Sequence, residues 1–138
     1  MKRWKVFTGI VLIGITAGII YGWTEYHRAV ADTMHLDAKA KKKATQLIKE
    51  FKADENLANG QYNGKPVSVT GSILKIERIA NIVIVSLGDN QSVTAVNCEL
   101  QPDHIDQADK LQVGEQVTIK GICTGMLMDV VMIRCVVE

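Results

Sequence analysis

The spacing of apolar residues changes at Lys65, and this change limits the folds that are open to the chain. Before it, six apolar residues recur at intervals of three, four and seven, the spacing of one helix face. They are Ala44, Leu47, Ile48, Phe51, Ala58 and Tyr62. After it, apolar and polar residues alternate, as in strands with one buried side. We therefore predict an amphipathic helix that stops at Asn59-Gly60, where glycine accepts a left-handed closing conformation, followed by a β domain.

Five strands are predicted in the β domain. The alternation that starts at Val67 shifts phase at Leu74, which indicates a bulge near residues 71–74 that bends a long first strand. Next come NIVIVSL, SVTAVNCEL, a short helix at about 103–111, and two strands from Val117 and Val130. This order predicts a mainly β fold with helices, the five-stranded oligonucleotide/oligosaccharide-binding (OB) barrel. An SH3-like barrel is the alternative.

The amino-terminal segment has a pattern of its own. Residues 6–23 carry no charge, and as a helix they would reach roughly 27 Å, which nearly spans a bilayer core. Three basic residues precede this run, and only Arg28 follows within fifteen residues. The amino terminus is therefore predicted to be cytoplasmic and the rest extracytoplasmic, as a single-pass cell-membrane protein. The alternative is a signal peptide cleaved after Ala29-Val30-Ala31, which also exports the remainder.

These patterns divide the chain into four parts. They are a cytoplasmic amino terminus at 1–5, a transmembrane helix at 6–23, a helical or loose stalk at 24–43, and the OB domain with its packed amino-terminal helix at 44–138. Gly14, Gly18 and Gly22 lie four residues apart within the apolar run. Small residues at that spacing let two membrane helices approach closely, so homo-oligomerisation through these glycines is a hypothesis.

Part of the chain also resembles a known family. The stretches are FKADENLANGQYNGKPVSVTGSI, VNCEL and VGEQVTIKGICTGMLMDVVMIRCVV, within about residues 44–137. They are similar to the tRNA-anti-like OB-fold family of bacterial envelope proteins and lipoproteins. This chain departs from the lipoprotein members, since no cysteine precedes Cys98. If the likeness reflects a binding surface, it implies four binding residues, Asp54, Glu55, Asn59 and Tyr62. The family name suggests RNA, but it reflects a relationship of fold rather than an activity.

Composition argues against nucleic acid as the partner. Recognition of single strands on OB barrels needs a basic groove and aromatic rings that stack on bases. No Phe, Trp or Tyr follows Tyr62, and the chain from Lys65 has six basic residues against nine acidic ones, a net charge of −3. We therefore predict a binding or scaffolding module whose partner is a protein or an oligosaccharide. A single-stranded nucleic-acid binder is the alternative.

The three cysteines are predicted to point into the barrel. Strand phase places Cys98 with Val96, Cys123 with Ile119, and Cys135 with Ile133. Strands three and five are parallel neighbours in an OB barrel, so a Cys98–Cys135 disulfide is predicted in an oxidising compartment. Buried thiols without a bond are the main alternative. No metal site is predicted, because no cysteine or histidine pair has the close spacing of zinc ligands.

Catalysis has little support in the sequence. His27 and His35 lie in the stalk, and His104 has no serine or cysteine partner at a suggestive spacing. An acid–base reaction would have to rest on the Asp54-Glu55 pair, whose acidic side chains more simply belong to a helix surface. The chain is therefore predicted not to be an enzyme and to need no cofactor.

Overall fold

The chain divides into two compact units, Met1–Val30 and Ala31–Glu138. The computed structural model describes residues 13–23 of the first unit and 32–138 of the second. Residues 13–23 form helix α1. Neither described range contains a helix with the length and apolarity that a membrane crossing requires. The predicted segment 1–5, the first part of the predicted span (6–12) and residues 24–31 of the predicted stalk lie outside the described residues.

The described part of the predicted stalk is not a helix. Residues Thr33–His35 make one 3-10 turn, and Ala40–Lys43 form strand β1. This strand lies parallel to the start of β2 (Pro66–Ile79), with Ala40 opposite Val67. The helical prediction is wrong for residues 32–43. The open edge of β2 supplies hydrogen-bond partners to this segment, and the local residue pattern does not reveal a partner so far along the chain.

The predicted amphipathic helix is two helices, α2 (Ala44–Ala53) and α3 (Glu55–Tyr62). All six residues of the predicted apolar stripe are buried, which confirms the stripe. The helix breaks at Asp54, whose extended backbone places its carboxylate to accept a hydrogen bond from the Leu57 N–H at 3.0 Å. The predicted stop at Asn59-Gly60 is wrong. Helix α3 continues to Tyr62, and the left-handed glycine is Gly64, with φ of 73°.

The β domain is a closed barrel of five strands. After β2 come β3 (Ile82–Gly88), β4 (Val96–Leu100), β5 (Gln116–Met126) and β6 (Val130–Val137). The order is β1-β2-β3-β4-β6-β5, and a second pairing, between β2 and β5, closes the barrel. A register shift between Ile73 and Lys75 confirms the predicted bulge. The bulge allows one long strand to pair with β5 along its first half and with β3 along its second.

Helices cover the barrel. Helix α2 contacts β2, β3 and β6, and α3 contacts β5. Close approach of α2 depends on Gly71, because a Cβ there would lie 2.9 Å from the Cβ of Ala44. The predicted short helix is a 3-10 helix, Pro102–Lys110, that contacts β3 and β6 and buries Ala108. The core therefore runs continuously from the barrel interior into the α2–α3 pair.

Candidate functional site

The four residues that the resemblance implies do not form one site. Asp54 caps α3 through the hydrogen bond to Leu57 described above. The Tyr62 side chain is buried and turns away from solvent. Glu55 and Asn59 instead line a groove on the outer side of α3. Glu55 and Asn59 therefore share one groove, whereas Asp54 and Tyr62 make structural contacts elsewhere.

Tyr62 belongs to a polar cluster that ties β1 to both helices. Its hydroxyl donates a hydrogen bond to Glu50 Oε2, and Lys42 Nζ lies 2.8 Å from Glu50 Oε1. Lys42 Nζ is also 5.9 Å from the centre of the Tyr62 ring. The Lys42 hydrogen bond, followed by that of Tyr62, lowers the pKa of Glu50. Burial, followed by the hydrogen bond to Glu50, raises the pKa of Tyr62. These contacts explain Tyr62 as a packing and anchoring residue.

The groove lies between α3 and the β5–β6 hairpin and has a volume of about 330 Å³. One wall comes from Glu55 and Asn59, which are four residues apart on one side of α3, and from Asn63, which follows the helix. The other wall is the carboxyl-terminal end of β5, the first residue of the turn after it and one residue of β6. The residues of this wall are Thr124, Gly125, Met126, Leu127 and Val131. The groove is thus polar on its helical side and partly apolar on its strand side.

Asn59 carries an unusual feature in this groove. Its side-chain Oδ1 is buried and accepts no hydrogen bond. The atom faces the backbone of β5 at Gly125, where an added Cβ would lie only 3.0 Å away and where φ is 109°. Most buried polar atoms in proteins have a hydrogen-bond partner, and an unpaired one is costly. Asn59 therefore holds a buried acceptor against Gly125 that the described part of the chain leaves unpaired.

Two large apolar side chains project from the tip of the β5–β6 hairpin. Leu127 and Met128 are 90% and 87% exposed. The tip is nevertheless well anchored, because Asp129 Oδ1 accepts a hydrogen bond from the Ala95 N–H at 2.8 Å and Asp129 Oδ2 accepts one from Asn97 Nδ2 at 3.1 Å. A fixed loop thus holds exposed apolar surface. No sequence pattern above indicated this loop, although the run Met126–Met128 between Gly125 and Asp129 was a visible signal of apolar residues in a turn.

OB barrels bind oligonucleotides and oligosaccharides on the outer face of their second and third strands, between two loops. In this chain those strands are β3 and β4, and the loops are β2–β3 and β5–β6. Here that face consists of Ser86 opposite Asn97 and Ile84 opposite Glu99. On the adjoining strand β2, Lys75 pairs with Glu77, with Nζ and Oε1 2.6 Å apart. These residues offer no aromatic ring on which a base could stack and no excess of positive charge.

All three cysteines are fully buried, which confirms their inward orientation. They are free thiols in this structure. In the parallel β4–β6 register Cys135 lies opposite Leu100, and Cys98 lies opposite Met132, so the two cysteines are diagonal neighbours. Burial raises the pKa of Cys135 well above its ordinary value, and a hydrogen bond with Cys98 adds to the increase. Burial also raises the pKa of Cys123. The Cys98–Cys135 disulfide stays a prediction.

A closed barrel of five strands, with a long bulged first strand and a short helix between the third and fourth, is an OB fold. The barrel and its helical cover therefore define the class of this protein, a helix-capped OB fold. Residues 1–137 match the model of the tRNA_anti-like family, so the chain belongs to that family. This match confirms the resemblance seen in the sequence.

Two solved structures are similar to the chain. One is named "putative nucleic acid-binding lipoprotein" and comes from Klebsiella pneumoniae subsp. pneumoniae. It is 20% identical, with a TM-score of 0.61 over 70% of this chain and 90% of the other. OBody AM3L09, bound to hen egg-white lysozyme, is 22% identical with a TM-score of 0.44 over 54% and 82% of the two chains. At 20% identity, the likeness to the Klebsiella pneumoniae structure establishes the fold alone. No curated protein matches the chain.

Proposed function

We propose that this protein is a non-catalytic binding module, anchored in the membrane and displayed outside the cytoplasm, that holds a protein partner at its β5–β6 hairpin. The uncharged residues 6–23 and the basic residues before them support the anchor and its orientation. The observation that carries the proposal is the exposed Leu127–Met128 pair on a hairpin fixed by Asp129.

Exposed apolar surface at that position favours a protein partner. Leu127 and Met128 lie on one of the two loops that border the ligand face of OB barrels. Contiguous exposed apolar surface on a soluble domain commonly marks a contact with another protein, and methionine is enriched at the cores of such interfaces. An oligosaccharide offers hydroxyl groups rather than the apolar side chains that would cover this pair. Of the two partner classes predicted from the sequence, a protein is therefore favoured over an oligosaccharide.

Nucleic-acid binding is the competing function, and the name of the Klebsiella pneumoniae neighbour raises it. The chain from Lys65 has a net charge of −3 and no aromatic residue. Electrostatic binding to single strands grows steeply stronger as salt falls. Titration of the full chain with a fluorescent oligonucleotide at low salt is expected to show no saturable binding. Saturable binding that weakens with added salt would favour the nucleic-acid function instead.

Site-specific photo-crosslinking in intact cells tests the proposal directly. A photoreactive amino acid at position 127 is expected to yield a discrete protein adduct. The matched control is position 113, since Val113 is also an exposed apolar residue but lies on the loop before β5. Adding Met128→Asp is expected to reduce the yield at position 127. Identical adducts at both positions, or adducts with glycan only, would contradict a protein partner at the hairpin.

Membrane topology needs a separate experiment. A tag at the carboxyl terminus is expected to be cleaved by protease added to the outer face of the membrane, in a fraction that sediments with membranes. A tag that stays protected until the membrane is lysed would place the barrel in the cytoplasm.

Homo-oligomerisation through Gly14, Gly18 and Gly22 stays a hypothesis. Cross-linking through cysteines introduced beside these positions is the measurement that tests it.

A further inference from the structure

We propose that the barrel docks on the membrane through a lysine face on β1 and α2, which binds the anionic headgroups of phospholipids. This inference rests on the anchor in the proposed function and names a surface other than the β5–β6 hairpin. The lysine face consists of five exposed residues: Lys39, Lys41, Lys43, Lys49 and Lys52. Three observations support it: the segregation of charge, the position of residues 32–43 in the fold and the short chain that precedes them.

Charge is unevenly distributed along the second unit. Residues 39–52 carry six basic side chains and one acidic one, a net charge of +5, whereas residues 53–138 carry six basic and eleven acidic side chains, a net charge of −5. Lys42 and Glu50 pair with each other at 2.8 Å, so the remaining positive charge is that of the lysine face. None of its five lysines forms an ion pair within residues 13–23 and 32–138. An anionic surface therefore attracts this side of the domain and repels the rest.

The fold joins the five lysines into one patch. The first three alternate along β1 and the residue before it, so they share the exposed side of the strand. Lys43 also lines a cleft with Thr45 and Asp89. The last two lysines of the face line a second cleft, which shares Thr45 and Asp89 with the first. Asp89 is the single acidic residue among the described residues that line these two clefts, so positive charge dominates the patch.

The position of residues 32–43 brings the lysine face within reach of a bilayer. An upright helical stalk would hold Lys41 roughly 27 Å beyond Trp23, whereas exposed charges interact over only about 10 Å in salt. Instead, residues 40–43 pair with β2, so these lysines belong to the barrel surface. Eight residues, 24–31, separate the two described ranges, and a chain of that length spans at most about 29 Å. With residues 6–23 anchored, this tether gives the face an effective concentration on the order of millimolar at the headgroups.

Headgroups fit the lysine face better than a nucleic acid does. Attraction to an anionic bilayer needs only basic side chains near its surface, each of which strengthens binding about fivefold. Binding of single strands also uses aromatic rings that stack on bases. The one aromatic residue within 39–52 is Phe51, which is buried in the core. The face therefore offers charge without stacking.

Paramagnetic NMR on the full chain in lipid nanodiscs tests the inference. The probe is a lipid whose headgroup carries a gadolinium chelate, in phosphatidylcholine discs made with or without phosphatidylglycerol. With phosphatidylglycerol, the amides of Lys41 and Lys43 are expected to broaden more than that of Asp109, which pairs with Arg78 at the end of β2 distant from β1. Added salt is expected to remove the difference. Equal broadening of these amides, or the same pattern without phosphatidylglycerol, would overturn the inference.

Two double variants separate the lysine face from general electrostatics. Lys41→Gln with Lys43→Gln is expected to lower the ratio of docked to undocked protein about thirtyfold, and the selective broadening disappears. The side chain of Lys43 does not cap α2, so this change leaves the helix start intact. Lys75→Gln with Lys110→Gln removes the same charge from other exposed positions and is expected to keep the broadening. An equal loss in both variants would show attraction to net charge only and would contradict the assigned face.

The outcomes also distinguish this inference from the proposed function. A chain held by an apolar span stays with the discs in high salt, whereas electrostatic docking is screened. Retention in high salt without selective broadening in low salt would support the anchor and overturn the lysine face. Selective broadening in low salt followed by release of the chain in high salt would support the lysine face and contradict the anchor. Oligonucleotide binding that Lys41→Gln with Lys43→Gln abolishes would assign the face to nucleic acid and overturn the inference.

Discussion

Gly121 in β5 occupies a place where only hydrogen fits. A Cβ on this residue would lie 2.3 Å from Cys135 Sγ, 3.2 Å from the carbonyl oxygen of Ile133 and 3.3 Å from Cys135 Cβ. Its backbone is not in the left-handed region that favours glycine. Gly121→Ala therefore tests packing between β5 and β6 without adding backbone strain.

The expected cost follows from those distances. Non-bonded carbon atoms prefer separations of about 3.5–4.0 Å, so a contact of 2.3 Å to sulfur requires movement of more than about 1 Å. Cys135 is fully buried and cannot swing into solvent, which leaves separation of the two strands as the response. Overpacking of this kind costs typically 1–3 kcal/mol, and we expect about 2–3 kcal/mol here. That is a large share of a total stability of roughly 5–15 kcal/mol.

Urea unfolding of the full chain in detergent with reductant, followed by circular dichroism, measures this cost. Cys135→Ala alone is expected to lose about 1–2 kcal/mol by leaving a cavity. The double variant Gly121→Ala, Cys135→Ala lacks the 2.3 Å contact. Its loss of unfolding free energy is therefore expected to be about 1–2 kcal/mol smaller than the sum of the two single losses.

A second glycine supplies the control for this measurement. Gly60 lies inside α3, and a Cβ there would meet nothing within 4 Å. Gly60→Ala is expected to stabilise the chain by about 0.5–1 kcal/mol. If the double variant lost the sum of the two single losses, or if Gly121→Ala left the unfolding free energy unchanged, the packing argument would be refuted.

Three further predictions concern stability and oxidation. Asp54→Ala removes the cap of α3 and is expected to cost about 1 kcal/mol in the same unfolding assay, whereas an unchanged midpoint would contradict the cap. The pKa of Glu50 is lowered in the folded state, so its stabilising contribution is present above its ordinary value of 4.5 and is lost as pH falls through the folded pKa. Glu50→Gln is therefore expected to flatten the decline of unfolding free energy below pH 4.5, and an unchanged acid decline would show that other groups cause it. In protein isolated from membranes without reductant, mass spectrometry of unreduced peptides is expected to find Cys98 linked to Cys135, and a linked Cys123 or three free thiols would refute this pairing.

Strand phase predicted the burial of the cysteines better than it predicted their neighbours. It grouped Cys135 with Ile133, but Ile133 is only half-buried, while Val130, Met132 and Cys135 are fully buried. The alternation breaks at Arg134, whose φ of 53° shifts the strand by one residue. A period-two pattern cannot report such a shift, because the irregular residue is defined by its backbone conformation.

The candidate site was only partly accessible from the sequence. Resemblance to the family led to Glu55 and Asn59, which line the groove, but also to Asp54 and Tyr62, whose contacts are structural. Polar residues that cap or anchor a fold look the same in a sequence as polar residues that bind a ligand. Their partners distinguish them, and those partners appear only in three dimensions.

The amino-acid order alone determined the local features of this protein: a buried helix stripe, five alternating strands and a bulged first strand. Each depends on neighbours within a few residues, so periodicity reports it. Only the tertiary structure decided which distant groups meet. It placed β1 on the edge of β2, Asn59 against Gly125, and Asp129 on Ala95, 34 residues away. Those contacts come from the pairing of β1 with β2, the pairing of β4 with β6 and the packing of α3 on β5, which bring together groups far apart in the chain.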